Sequence, residues 1–385
     1  MKRLLSTALA CALIAAAAAP VSAAGTIGVE IDGATVPSSV EPIVENGATL
    51  VPLRLIGETL GARVEWDAAK KQATLKTAAY TVAFTIGSKT YTVNGASKSL
   101  SVEPKIVGDR TLVPLRAFSE AIGASVSYDA AAYKASVKYF TEMSGSIKVS
   151  GSTTVLPIMQ SAADKLSAMN NGLSIAVSGG GSGAGIKDSQ NGVNNVGMSS
   201  RELTADELAT LTPYQMANDA IAIIVNPKNS VKNLSKEQAK KIFLGEIKNW
   251  QDVGGANAPI LVQTRETGSG TLSTLEEMLL DKEKVVDTAT PFTSSALIKQ
   301  AVAKSENAVG FDSVGFVDDS VRALSLDNIT PSETTVKNAS YPLSRSLFVL
   351  TKGAAGGINA KLIDYLRTQS VQNDIVKKEG YITLD

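Results

Sequence analysis

From Thr49 the chain alternates apolar and polar positions through TLVP, then shifts to a helical period at Leu53, Ile56 and Leu60. It stops at Gly61 and returns to alternation. The same succession starts again at Thr111, with Leu115, Phe118 and Ile122 on the helical face and Gly123 as the stop. Written out, TLVPLRLIGETLGARVEWD (Thr49 to Asp67) is followed by TLVPLRAFSEAIGASVSYD (Thr111 to Asp129), an internal repeat. Hairpin-like segments precede each copy, IDGATV turning at Asp32-Gly33 and YTVNGAS at Asn94-Gly95. Residues 26–140 therefore read as a small α+β domain of two repeats. Arg54/Glu58 and Arg116/Glu120 stand at i,i+4, the spacing of helix-face ion pairs.

Residues 141–147 (TEMSGSI) read as a short polar link. Beyond them strand and helix patterns alternate to the end: IKVSG, LSIAVSG, NVGMSS, AIAIIVNP, APILVQT, NAVGFDSV and SLFVLTK, with helical stretches between. That alternation predicts an α/β fold with parallel sheets, whose ligands sit beyond the strand C-termini.

Charge changes the picture mainly by exclusion. Lys and Arg number 37 against 37 Asp and Glu, so no polybasic face suggests nucleic acid. Histidine is absent, which removes a Ser-His-Asp triad, histidine general bases and the common zinc sites. Lys2 and Arg3, the apolar run Leu4 to Ala19 and the small residues Val21 to Ala24 form an export signal, residues 1–24, cleaved after Ala23 or Ala24. Cys11, the single cysteine, leaves with it; the alternative is a lipid-modified Cys11, since Leu9-Ala10-Cys11 faintly resembles a lipobox.

Four strand-to-helix loops share one chemistry: GSTTVLP (Gly151 to Pro157), SGGGSGAG (Ser178 to Gly185), MSSRE (Met198 to Glu202) and RETGSGT (Arg265 to Thr271). Hydroxyls, first-turn N–H groups and two arginines together suit an oxyanion. The candidate ligands are Ser152, Thr153, Thr154, Ser182, Ser200, Arg201, Arg265, Ser269, Gly270 and Thr271. Taken singly, each loop also reads as an ordinary helix cap.

Residues 26–140 resemble the copper amine oxidase N-terminal-like repeat domain of secreted Gram-positive proteins, through the doubled VPLR…E…GA…V…D pattern. Without His or Cys in the mature chain the copper of that name is not expected, nor any other cofactor; a spacer or surface-polymer contact is. Residues 147–385 resemble the phosphate-binding receptors of bacterial phosphate ABC importers, the PstS-type solute-binding proteins, through VSGSTTVLPI, SGGGSGAGIKD, VGMSSREL, IFLGEIKNWQDVGG, RETGSGT and YPLSRSLFVLTKG. The resemblance implies a two-lobed, type II periplasmic-binding-protein-like fold joined by two crossover strands, Asp219–Pro227 and Tyr341–Lys352. Lobe one is expected from residues 147–222 and 345–385, lobe two from 223–344. It implies a non-enzymatic receptor on the outer face of the membrane or in the wall that hands phosphate to an ABC permease. It further implies ligand contacts from the Thr153 hydroxyl, the Thr154 amide, Ser182, Arg265, Ser269 and the Gly270 and Thr271 amides. Several family members carry an aspartate where this chain has Ser200, so sulfate or molybdate stands as an alternative ligand; Glu202, Glu266, Asp188 and Asp219 are candidate substitutes for that carboxylate. Two other readings remain: a surface scaffold or adhesin with a vestigial anion site, and a nucleotide-binding enzyme suggested by Gly179-x-Gly181-x-x-Ala184.

Overall fold

A computed structural model describes residues 27–384; the segment expected as an export signal, with Cys11, lies outside the described residues. Each repeat folds as strand, seven-residue helix and strand: Ala48–Pro52, Leu53–Thr59 and Arg63–Asp67, then Arg110–Pro114, Leu115–Ala121 and Ser125–Asp129. The two TLVP strands pair antiparallel with Val51 opposite Val113. These are equivalent positions of the two copies, so a local twofold axis passes between them. Ile43–Glu45 and Lys105–Val107 flank the pair on either side, completing a symmetric four-stranded sheet. Of the two expected helix-face pairs, Arg116–Glu120 closes only to 4.0 Å on an exposed surface, where such pairs contribute little. No Arg54–Glu58 ion pair forms among the described residues.

The polar link is packed chain. Phe140 and Met143 are buried, the Asn170 side chain accepts from the Met143 N–H at 2.8 Å and donates to the Phe140 carbonyl at 2.6 Å. Asp32 accepts the N–H groups of Tyr139, Phe140 and Thr141 at 2.8, 3.0 and 3.1 Å. The expectation of a polar link fails because Met143 and Ile147, within residues 141–147, are buried in one core with Phe140 just before them. That core is continuous: Leu53, Phe84, Phe118 and Tyr139 of the repeat module join Ile147, Met159, Leu362 and Leu366 of the second domain in one apolar cluster.

At the junction the helix Gly357–Arg367 supplies Asp364, which accepts from the Ala78 N–H and the Tyr139 hydroxyl, each at 2.7 Å. Lys361 donates to the Tyr139 carbonyl at 2.9 Å. Burial pushes the Asp364 carboxyl up to about 7, against the opposing pull of the Ala78 and Tyr139 hydrogen bonds and of Arg367. The folded protein thus holds this proton far more tightly than the unfolded chain, whose aspartates titrate near ~3.9. The stabilisation is complete below the unfolded value and is lost as pH rises through about 7. Asp364→Asn should flatten this dependence. Thermal unfolding followed from about pH 5 to about pH 8 should show the wild type losing Tm relative to the variant; parallel curves would disprove the assignment.

Beyond the junction, three parallel strands, Leu173–Ser178, Gly145–Gly151 and Val196–Ser199, form the first half-sheet. Ala308–Ser313, Leu261–Arg265 and Thr290–Phe292 form the second, also parallel. Two long antiparallel strands join them, Leu211–Val225 and Ser344–Lys352. The first of these starts earlier than Asp219; its residues 211–220 pair with the other crossover and residues 221–225 with Ala308–Ser313. A separate apolar core around Phe243, Trp250 and Phe311 fills the second half. Helices follow the strands in each half, so the strand-end loops face each other across the crossovers.

Candidate functional site

The loops meet where the crossovers pass between the halves. RETGSGT ends the strand Leu261–Arg265 and opens the helix Gly270–Met278, whose first turn is capped by the Ser269 hydroxyl accepting from the Leu272 N–H at 3.3 Å. SGGGSGAG opens the helix Ser182–Asn191. The two loops touch through a Gly183 N–H donated to the Gly268 carbonyl at 2.9 Å. Gly270 lies so close to the opposite half that a Cβ there would stand 2.3 Å from the Ser182 Oγ and 2.7 Å from the Ser200 Oγ. Only glycine permits that approach.

Hydroxyls from both halves converge beside it. Ser182 and Ser200 hydroxyls are 3.3 Å apart, and those of Thr154 and Thr271 are 3.0 Å apart. Arg265, only 3 % exposed, donates through Nη2 to the Thr153 Oγ1 at 2.9 Å and through Nη1 to the Ser295 Oγ at 3.0 Å. Its remaining bonds go to the Phe292 and Thr293 carbonyls, both at 3.2 Å. Among the described residues this guanidinium forms no ion pair. Burial pushes its pKa down, with the nearby Asp312 charge opposing; an arginine nonetheless keeps its proton.

Two expected ligands have other work. Arg201 makes a two-pronged pair with Glu207, 2.8 Å on each side, and its side chain is drawn to the surface helix Ala205–Leu208. Glu207 is fixed there by a capping box with Thr204, which explains why the arginine turns away. The Ser152 hydroxyl accepts the Thr154 N–H at 3.2 Å and the Val155 N–H at 3.4 Å, closing the turn that leads into the helix Leu156–Ala168. The structure thus brings together Thr153, Thr154, Ser182, Ser200, Arg265, Gly270 and Thr271, holds Ser269 as a helix cap and Ser152 in a buried turn, and takes Arg201 elsewhere.

Three residues were not anticipated. Ser295 opens the helix Ser295–Lys304, and its hydroxyl lies 3.5 Å from that of Thr154. Its signal was the doubled Ser294-Ser295 ahead of an apolar period, the same signature as the four loops. Asp312 is fully buried; desolvation pushes it up to about 6, against Arg265, Ser295, Ser313 and Arg345, which favour the charged form. Its Oδ1 accepts the Ser313 N–H at 2.8 Å, and its Oδ2 has no hydrogen-bond partner among the described residues. Arg345, 4 % exposed in its side chain, binds Asp219 at 2.7 Å and donates to the Ser200 carbonyl at 3.1 Å. Asp219, weighed as a proton acceptor, is therefore the counter-ion of Arg345, the two standing in register on the crossover strands. Asp188 accepts from Ser150 at 2.7 Å, while Glu202 and Glu266 are exposed.

Both parts of the chain are similar to known proteins. The family profile described as PBP superfamily domain matches residues 134–368, and that of the copper amine oxidase N-terminal domain matches residues 30–137. The phosphate-binding protein PstS of Bacillus subtilis is 34 % identical over 251 residues, covering 64 % of this chain and 83 % of that protein. A phosphate ABC transporter substrate-binding protein from Clostridium perfringens, solved with bound phosphate, is 36 % identical with a TM-score of 0.60, over 63 % of this chain and 100 % of that one. An ABC-type phosphate transport receptor from Vibrio cholerae is 36 % identical with a TM-score of 0.54, over 62 % and 99 % of the respective chains. With a two-lobed fold, two crossover strands and this extent of identity, the chain belongs to the PBP superfamily and, within it, to the PstS family of phosphate-binding proteins.

Proposed function

We propose that this chain captures inorganic phosphate between its two lobes and delivers it to an ABC importer, with no bond made or broken. Lobe one is residues 147–222 and 345–385, lobe two residues 223–344. The observation that carries the proposal is Arg265: a buried cation, held by neutral acceptors from both lobes, without an ion pair among the described residues. A lone buried charge costs several kcal/mol, and an arriving oxyanion removes that cost. Thr153, Thr154, Ser182, Ser269 and Ser295, with the first-turn amides of Gly270 and Thr271, surround the position such an ion takes. Asp312 and the Asp219–Arg345 pair balance charge behind it. Calorimetry on phosphate-stripped protein should give 1:1 binding of phosphate; tighter binding of sulfate or molybdate would reassign the ligand, and binding of a nicotinamide cofactor would overturn the receptor reading.

Ser200 sets the selectivity. Its hydroxyl accepts a proton of hydrogen phosphate through a lone pair but does not repel sulfate. Ser200→Asp should weaken sulfate at least about tenfold more than phosphate, because an unpaired carboxylate then faces a fully ionised ligand. Competition between the two ions in calorimetry reads this directly, and an unaltered ratio would remove Ser200 from the site.

The protein is exported by the segment 1–24 and works outside the membrane, with residues 26–140 contacting a surface polymer. No helix among the described residues is long and apolar enough to cross a membrane.

A further inference from the structure

Two of the grooves on the repeat module, of about 490 Å³ and about 820 Å³, are exchanged by the twofold axis between Val51 and Val113. One groove joins Val44 of the first repeat to Arg116, Glu120 and Tyr128 of the second. The other joins Ile106 of the second to Arg54, Glu58 and Trp66 of the first. Each residue of one set is the repeat equivalent of its counterpart, so the grooves are the same site built twice with the repeats' contributions swapped.

Each groove has an aliphatic and an aromatic side chain open to solvent, at equivalent positions of the two copies. Val44 and Ile106 are 48 % and 52 % exposed, and Trp66 and Tyr128 are 44 % and 45 % exposed. Folding does not require this, since the core residues of each repeat are fully buried elsewhere in it. Aromatic side chains left outward at equivalent positions of two diverged copies mark contact surfaces. Every residue lining either groove belongs to the module, so the junction with lobe one leaves both free.

Charge selects the occupant. Arg116 and Glu120 balance in the first groove, and two arginines face three carboxylates in the second. A polyanion such as a phosphate-rich wall polymer finds no surplus cation there. An exposed ring beside an arginine, a carboxylate and hydroxyls of Ser99, Ser101 and Thr49 suits a neutral sugar: the ring's negative face meets pyranose C–H groups while the polar groups bridge hydroxyls. We propose that the twin grooves bind a neutral glycan of hexose or N-acetylhexosamine units, Tyr128 and Trp66 each stacking on one sugar. Duplication on one rigid module then gives bivalent attachment to a repeating polymer. This deepens the surface-polymer reading of residues 26–140 and is independent of phosphate capture.

The test uses the full mature protein with purified cell-wall sacculi, intact or stripped of anionic polymers, and with chitohexaose and cellohexaose as soluble probes. Wild type should sediment with both wall preparations and bind at least one oligosaccharide. Trp66→Ala or Tyr128→Ala should each weaken wall binding about tenfold, and the double variant about a hundredfold, while phosphate binding and Tm stay unchanged. If wild type ignores every wall fraction, the surface-polymer reading falls and this proposal with it. If wild type binds and the double variant binds equally, the grooves are wrong and that reading stands. Loss of binding on stripping the walls would assign the module to an anionic polymer instead.

Discussion

Arg265→Ala should lower phosphate affinity by about two to three and a half orders of magnitude, the largest effect expected of any side chain in the site. A fully desolvated guanidinium–oxyanion contact is worth about 3–5 kcal/mol when one partner is deleted, and each 1.4 kcal/mol is roughly tenfold. Arg265→Lys should recover part of this, since a lysine restores charge but not the planar fork that reaches Thr153 and Ser295 together. The ligand-free variant should unfold at the wild-type temperature or above, because a buried cation without an ion pair is no asset to the empty fold. Phosphate should then raise the Tm of wild type and leave that of the variant unmoved. Arg201→Ala is the matched control: its guanidinium belongs to Glu207, and affinity should not change. Equal phosphate affinity in wild type and Arg265→Ala would end the proposed mechanism.

Gly61→Ala should be severe where Gly123→Ala is mild. Both glycines follow a repeat helix with positive φ, 75° and 81°, so each alanine carries a left-handed penalty of roughly 1–2 kcal/mol. Around Gly123 nothing lies within 4 Å of an added Cβ. At Gly61 the added carbon would stand 1.9 Å from the carbonyl oxygen of Asp364, which is backbone and cannot swing aside. The alanine must therefore separate the module from lobe one, opening the Tyr139–Asp364 contact and the shared apolar core. Chemical denaturation should show a second, earlier transition in Gly61→Ala and a single modest shift in Gly123→Ala. Identical curves for the two would mean that the junction is not where the fold is tightest.

Period and punctuation made much of this legible. The repeat, its helices and their glycine stops stand in the sequence because backbone rules act within a few residues. The hydroxyl-rich loops were legible as a group for the same reason. What pairs with what over long separations was not. Arg345 and Asp219 are partners only because two crossover strands run in register. Asp312 carries no local mark, being one carboxylate in an apolar strand. Arg201 looked like a ligand because it sits in the right loop, yet the Thr204–Glu207 capping box a turn later claims it. Met143 read as part of a polar link because its core comes from elements far away in the chain.

The unbroken core between the repeats and lobe one has a mechanical outcome. A clamp closes by moving one jaw against the other, and here the first jaw carries the entire amino-terminal domain as ballast. The second jaw, with its own separate core, is the lighter part. Tethering the heavy jaw to an immobile mesh leaves the swing of the light one unhindered, so such a receptor can be moored and still snap shut on its ion.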